Sequence, residues 1–279
     1  MIIFKEKKKL ADYIASKINS HTIGLTATMG ALHEGHISLI KESKKKCDIS
    51  ICSIFINPKQ FNNLNDFIKY PKTTESDLKL LEESKCDIVY MPKSEDLYEK
   101  NEKTIKYEFN NLEKYLEGKY RPNHFNGVAM IIEKLFKLIR PTHAFFGEKD
   151  LQQLLIIKQL VKKNGIDIRI VGCPTIRDKQ GLAMSSRNKL LSRNDQTYSA
   201  KIYQQLLKCK KNYTKTSLRD LKKNAINNLS KSKKIEVEYL DFVDITTLKP
   251  KIIFEKNTKY AVCIAVNISG VRLIDNIIL

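Results

Sequence analysis

His33 and His36 bracket Glu34 and Gly35 within TATMGALHEGH, residues 26–36. The apolar run 23–25 before them reads as the end of a strand, and 35–40 as the first turns of a helix. A strand that feeds a helix through a glycine-bearing turn aims backbone N–H groups and a positive dipole end at one point, which suits a phosphate. Two imidazoles at that mouth add donors for the same anion. Gly35 fits a place where a flat base or a phosphate comes close to backbone. A metal fits less well: the H-x-x-H spacing is not that of H-E-x-x-H, and no third ligand stands out.

Three further groups could do chemistry. The first is Phe55-Ile56-Asn57-Pro58-Lys59-Gln60-Phe61, at the carboxyl end of an apolar run, where open α/β sheets bind ligands. Asn57 and Gln60 there offer neutral amides, suited to hydroxyls and a carboxylate. The second is Phe146-Gly147-Glu148-Lys149-Asp150-Leu151-Gln152-Gln153, where Lys149 suits a phosphate, Asp150 a ribose hydroxyl and Gln153 a substrate oxygen. Asp150 also reads as a helix cap. The third is Pro174-Thr175-Ile176-Arg177 followed by Gly181-Leu182-Ala183-Met184-Ser185-Ser186-Arg187-Asn188, whose hydroxyls and guanidinium are donors for phosphate oxygens.

These groups need a frame. Residues 48–57 (DISICSIFIN) form a nearly unbroken apolar run, as in a buried parallel strand. Further strands are predicted at 87–91, 142–146 and 166–171. Helices are predicted at 74–85, 126–139 (ending before Pro141) and 151–163 (stopping at Asn164-Gly165). This alternation predicts a Rossmann-like, doubly wound parallel α/β sheet over residues 1–172. After Gly172 the pattern changes to helices at 195–211 and 217–231, then strands at 235–243, 260–266 and 271–274, with Ser269-Gly270 as a hairpin turn. Residues 173–279 therefore read as a smaller α+β domain, placed to act as a mobile lid over a nucleotide.

Composition limits the function classes. The chain has 279 residues, 42% of them hydrophobic, enough for a real core. No apolar run of the roughly 18 residues needed for a membrane span occurs, and the lysine-rich start does not read as a signal peptide. The six cysteines form no C-x-x-C pair and read as buried free thiols of a reducing cytoplasm. The net charge is +19, and it thickens over 199–234, where ten lysines and Arg219 face one acid, Asp220. No aromatic stripe interleaves with them, so a solvated helical face is expected rather than a specific nucleic-acid surface.

Taken together, the strings MGALHEGH, NPKQF, GEKDLQQ and GLAMSSRN, in this order and spanning nearly the whole chain, closely resemble the pantothenate synthetase (pantoate–β-alanine ligase) family. That family belongs to the nucleotidylyl-transferase superfamily with its H-x-G-H-type motif. The resemblance implies condensation of (R)-pantoate with β-alanine, driven by ATP with Mg²⁺, through a pantoyl-adenylate, in a cytoplasmic homodimer upstream of coenzyme A. It implies that Met29, Gly30, Ala31, Leu32, His33, Glu34, Gly35 and His36 line the ATP site, with His36 the proton-donor histidine and His33 a phosphate ligand. Gly147, Glu148, Lys149 and Asp150 are implied at ribose and phosphate, Ile176 at adenine through its backbone, and Met184, Ser185, Ser186 and Arg187 at the triphosphate. Lys149 and Arg187 count with the two histidines as catalytic. Gln60 is implied at pantoate and β-alanine, Gln153 at pantoate with Asn57 beside the substrate, and Asp77 near the metal. The chain departs from the family pattern at Ala27, where proline is usual, at Asn62, where glycine is usual, and at Lys72, where arginine is usual. None of these removes a reacting group.

Overall fold

The computed structural model describes residues 1–100 and 102–279. The chain divides into two compact units. The first holds residues 1–110, 121–148 and 153–174, and the second holds 111–120, 149–152 and 175–279. The short segments 111–120 and 149–152 are thus taken up by the second unit, which a single linear division at residue 172 does not anticipate.

The elements run β1 (Ile2–Phe4), α1 (Lys7–Ala15), β2 (Ile23–Thr28), α2 (Glu34–Lys46), β3 (Ile49–Ile54), α3 (Leu64–Ile68), α4 (Thr74–Glu83), β4 (Ile88–Tyr90), α5 (Ser94–Leu97), α6 (Leu116–Tyr120), α7 (His124–Ile139), β5 (His143–Gly147), α8 (Leu151–Lys163) and β6 (Arg169–Cys173). The sheet of the first unit has the order β1-β4-β3-β2-β5-β6, with every paired strand parallel. From β2 the order runs outward in both directions. The carboxyl ends of β2 and β5 therefore flank the topological switch point, where doubly wound sheets hold ligands. The unbroken apolar run of β3 follows from its central place, with helices and neighbouring strands covering it.

Asp87 fastens this sheet to α2. It accepts from Lys44 Nζ (2.8 and 2.9 Å) and from the backbone N–H and hydroxyl of Ser50 (2.7 and 2.9 Å). Burial pushes its carboxyl up, but the Lys44 and Ser50 hydrogen bonds outweigh this and hold it below the usual aspartate range. Helix α7 is buried along most of its length and ends at Arg140 in a left-handed conformation, before Pro141.

The second unit contains α9 (Arg193–Asn212), α10 (Leu218–Ser230), β7 (Ile235–Asp244), β8 (Tyr260–Ile268) and β9 (Val271–Ile278). Its sheet is antiparallel in the order β7-β8-β9. The expected hairpin turn holds: Ser269 and Gly270 both take positive φ, as a tight β8–β9 connection demands. Leu206, Leu229, Leu240, Val262 and Ile264 form its core between helices and sheet. The lysines of 199–234 are exposed or half-buried on and beside α9 and α10, as a solvated face requires. Segment 111–120 is pinned to this unit by Glu117, which receives a bidentate pair from Arg272 (2.7 Å each) and the Tyr239 hydroxyl at 2.7 Å.

The six cysteines are free and buried, and burial raises each thiol above its ordinary value. Among the described residues no helix is long and apolar enough to cross a membrane.

Candidate active site

In the first unit, the turn after β2 is held from the side by a buried carboxylate. Asp77 of α4, 1% exposed, accepts the Ala31 N–H through Oδ2 (2.9 Å) and the Leu32 N–H through Oδ1 (2.8 Å), and Oδ1 also accepts the Thr73 hydroxyl at 3.0 Å. Gly30 and Ala31 both have positive φ, +79° and +49°. Left-handed backbone at an alanine is strained and persists only where its surroundings enforce it. The two Asp77 hydrogen bonds are that enforcement. Thr28 adds a third tie, accepting from Gly30 N–H (3.2 Å) and donating to the Ser53 carbonyl (2.8 Å).

His33 is the N-cap of α2 and sits in extended conformation. Its Nδ1 accepts the Gly35 backbone N–H at 3.1 Å. A backbone N–H can only donate, so Nδ1 carries no proton and the neutral ring is protonated at Nε2, which then donates. The His36 ring lies 4.0 Å away, centre to centre, tilted by 33°. The two histidines thus form one pair at a helix N-terminus, as the spacing predicted.

Beyond β3, Asn57 is 1% exposed and fully committed. Oδ1 accepts the Lys59 N–H (3.2 Å) and the Tyr98 hydroxyl (2.7 Å), while Nδ2 donates to the Gly127 carbonyl (3.0 Å) and to Gln60 Oε1 (3.1 Å). Burial, then the charge of Glu102, pushes the Tyr98 phenol up, so it stays protonated as the donor. All four hydrogen-bonding positions of the Asn57 amide are therefore used inside the protein, one of them on the Gln60 side chain. Gln60 Nε2 contacts Met29 Sδ at 3.1 Å. The Gln60 carbonyl accepts from His124 Nδ1 at 2.7 Å. A Cβ on Gly127 would lie 2.2 Å from the Lys59 carbonyl oxygen, so only glycine lets α7 come this close to the Gln60 turn. Sequence reasoning missed Tyr98 and His124. No local spacing links either to Asn57 or Gln60, 41 and 64 residues away.

Gly147 and Glu148 close β5, beside the switch point. Gln153 is half-buried on the first turn of α8. The turn after β2, the Asn57–Gln60 turn and the end of β5 all stand at carboxyl ends of strands, where the motifs required them. Both oxygens of Asp77, the residue expected near a metal, accept backbone N–H groups of the turn. Among the described residues no three His, Cys, Asp or Glu side chains gather to hold a metal ion.

The second unit carries the remaining motif residues. Lys149 and Asp150 form a short 3₁₀ turn, and the Lys149 carbonyl accepts from Asn276 Nδ2 at 2.8 Å. Gln152, next to Gln153, faces inward and donates to the Leu112 and Tyr115 carbonyls (2.7 and 2.8 Å). Residues 176–184 form a narrow antiparallel loop, with Met184 N–H on the Ile176 carbonyl at 2.9 Å. Ser185 caps the turn Ser186–Leu190, its hydroxyl accepting the Arg187 N–H at 3.3 Å. Ser186 is buried, and Asn188 Nδ2 donates to the Ala183 carbonyl at 3.0 Å.

Residues 2–278 match the sequence profile described as Pantoate-beta-alanine ligase. The chain is 45% identical to a pantothenate synthetase of Cytophaga hutchinsonii, over 94% of this chain and 93% of that protein. It is 44% identical to one of Flavobacterium psychrophilum, over 99% of each. Its fold superposes on the crystal structure of pantothenate synthetase from Thermus thermophilus with a TM-score of 0.91, at 31% identity and 99% coverage of both chains. A pantoate-beta-alanine ligase from Francisella tularensis, crystallised with beta-gamma ATP and beta-alanine, matches with a TM-score of 0.83 at 36% identity, covering 100% of this chain and 97% of that one.

Proposed function

From the membership of this chain in the pantoate–β-alanine ligase family, we propose that it joins (R)-pantoate to β-alanine in two chemical steps. In the first, a pantoate carboxylate oxygen attacks the α-phosphorus of ATP, the bond to the bridging oxygen breaks, and pyrophosphate leaves with a pantoyl-adenylate formed. In the second, the β-alanine amine attacks the acyl carbon, AMP leaves, and a proton is released as pantothenate forms.

The observation that carries this reading is the histidine turn at the switch point of the sheet. Negative charge grows on phosphate oxygens in the first step, and preorganised donors aimed there lower its barrier. His33 is fixed as an Nε2 donor by its bond to Gly35, and His36 stands beside it on the same turn. His36 is proposed as the proton donor to the departing phosphate oxygens and His33 as their ligand. The backbone of 29–36 cradles the nucleotide. Gly147, Glu148, Lys149 and Asp150 serve ribose and phosphate, Ile176 serves adenine, and Met184, Ser185, Ser186 and Arg187 serve the triphosphate. Gln60 grips pantoate and β-alanine, and Gln153 grips pantoate.

Magnesium enters with ATP as its substrate complex, held by phosphate oxygens and water, a mode that needs no cage of protein ligands. Asp77, with both oxygens on the turn, acts there as an anchor. No side chain is assigned as base for the amine. Orientation supplies the rate of the second step, and activity rises toward alkaline pH as the amine loses its proton. By the same resemblance the enzyme works as a cytoplasmic homodimer, with residues 173–279 as a lid. Sedimentation tests the dimer.

The deciding experiment is exchange of labelled pyrophosphate into ATP. It should depend on pantoate, proceed without β-alanine, and fall at least ~100-fold in His36→Ala, in keeping with loss of one transition-state donor. Exchange that ignores pantoate would remove the adenylate, and full exchange in the variant would remove His36 from its role.

A further inference from the structure

Two neighbouring residues of the last strand each hold one of the nucleotide motifs of the second unit. Asp275 and Asn276 lie on β9 and are 5% and 7% exposed. Successive residues of a strand point to opposite faces, so the two side chains address different partners. Asp275 receives the Arg177 guanidinium in a bidentate pair, Nη1 to Oδ2 at 2.5 Å and Nη2 to Oδ1 at 2.8 Å. The guanidinium carbon stands 3.7 Å from the centre of the Tyr203 ring. Arg177 Nη1 also donates to the Gly181 carbonyl (3.1 Å) and Nη2 to the Asn276 carbonyl (3.3 Å).

This one fork therefore closes the 176–184 loop across its own base. Arg177 bridges Ala183, and Met184 through Arg187 follow at once. At the loop tip Gly181 has φ +93°, and a Cβ there would lie 2.6 Å from the Tyr203 ring. The loop is shaped to seat its arginine between an aromatic face and a carboxylate. Asn276 meanwhile donates to the Lys149 carbonyl (2.8 Å), fixing the backbone from which that lysine projects.

We propose that the Asp275–Asn276 pair, with Arg177, positions the two cationic phosphate ligands of the second unit, Lys149 and Arg187, without touching the substrates. A charge pair that is nine-tenths or more buried on its acidic side contributes little net stability over apolar packing, because desolvation offsets the attraction. What it supplies is geometry: a planar fork accepts one orientation. The proposal rests on the assignment of Lys149 and Arg187 to phosphate.

The test is steady-state kinetics on the full chain with Asn276→Ala, Asp275→Asn, Lys149→Ala, Arg187→Ala and the doubles Lys149→Ala/Asn276→Ala and Arg187→Ala/Asp275→Asn, with circular dichroism and melting as fold checks. Each single β9 variant should raise KM for ATP on the order of tenfold while KM for β-alanine stays within about twofold. Each double should be no worse than its Lys149 or Arg187 parent, since a positioning residue has nothing left to position. Additive doubles, or equal changes in every KM, overturn the proposal. If Asp275→Asn does not fold, the Asn276 cycle decides alone. If Lys149→Ala and Arg187→Ala leave ATP kinetics intact, the phosphate assignment itself fails and takes the proposal with it. If those two are impaired and the β9 variants are not, the proposal alone falls.

Discussion

The histidine turn of the first unit and the serine–arginine loop of the second present donors in the same style but are stiffened by different means. The turn at 29–36 is held by a carboxylate on backbone: Asp77 takes two N–H groups and tolerates a left-handed alanine between them. The loop at 176–187 is held by a carboxylate on a side chain: Asp275 takes the Arg177 fork, and the backbone follows the arginine. A backbone anchor fixes where a turn lies. A side-chain anchor fixes it only as well as the arginine is itself fixed, which is why Tyr203 and the Gly181 carbonyl share the work.

That contrast predicts unequal costs of damage. Asp77→Ala strands two buried N–H groups and should cost about 3 kcal/mol, lowering the melting point by on the order of 10 °C, with activity lost in parallel. Asp77→Asn keeps one acceptor and should fall between. If Asp77→Ala melts like wild type but needs more magnesium, the anchor reading is broken in favour of a metal role.

Gly181→Ala should cost about 1–3 kcal/mol, since positive φ and the Tyr203 ring both oppose a side chain. A urea denaturation curve checks it, and an unchanged midpoint would mean the loop is softer than its contacts suggest. Tyr203→Leu should cost less, about 1 kcal/mol, by removing the cation–π face from Arg177. Here KM for ATP should move more than the melting point does.

The smallest effect belongs to Asp87, which lies in neither segment and so serves as a control on the frame. Its folded pKa is depressed, so its contribution is present above the unfolded aspartate value and is lost as pH falls through the lower folded one. Asp87→Asn should cost about 0.5 kcal/mol near neutrality, a figure kept low because the Lys44 pair is about one-third exposed. The difference from wild type should shrink in acid. Melts between neutral and acidic pH test this, and a difference that grows on acidification would reverse the sign.

Much of this was legible in the chain. The alternation of apolar runs with amphipathic segments led to a parallel sheet, and strands at 49–54, 88–90, 143–147 and 169–173 follow it closely. The hairpin at Ser269–Gly270 was legible because two residues of positive φ leave few alternatives. Strand Ile2–Phe4 was not: three residues between Met1 and a lysine-rich run carry too little periodicity to stand out, and only pairing with β4 makes them a strand. Segment 111–120 was equally silent, because its place depends on Glu117 meeting Arg272 from 155 positions away.

The histidine pair, the amides of Asn57 and Gln60 and the order of the four motifs were set by sequence alone, since residue type and local spacing determine which groups a turn can offer. The tertiary structure decided which of those groups are spent internally. Once folded, the Asn57 oxygen takes a backbone N–H and the Tyr98 hydroxyl, and the Asp77 oxygens take two backbone N–H groups and the Thr73 hydroxyl, because a buried hydrogen-bonding group must find its partner wherever the chain brings one.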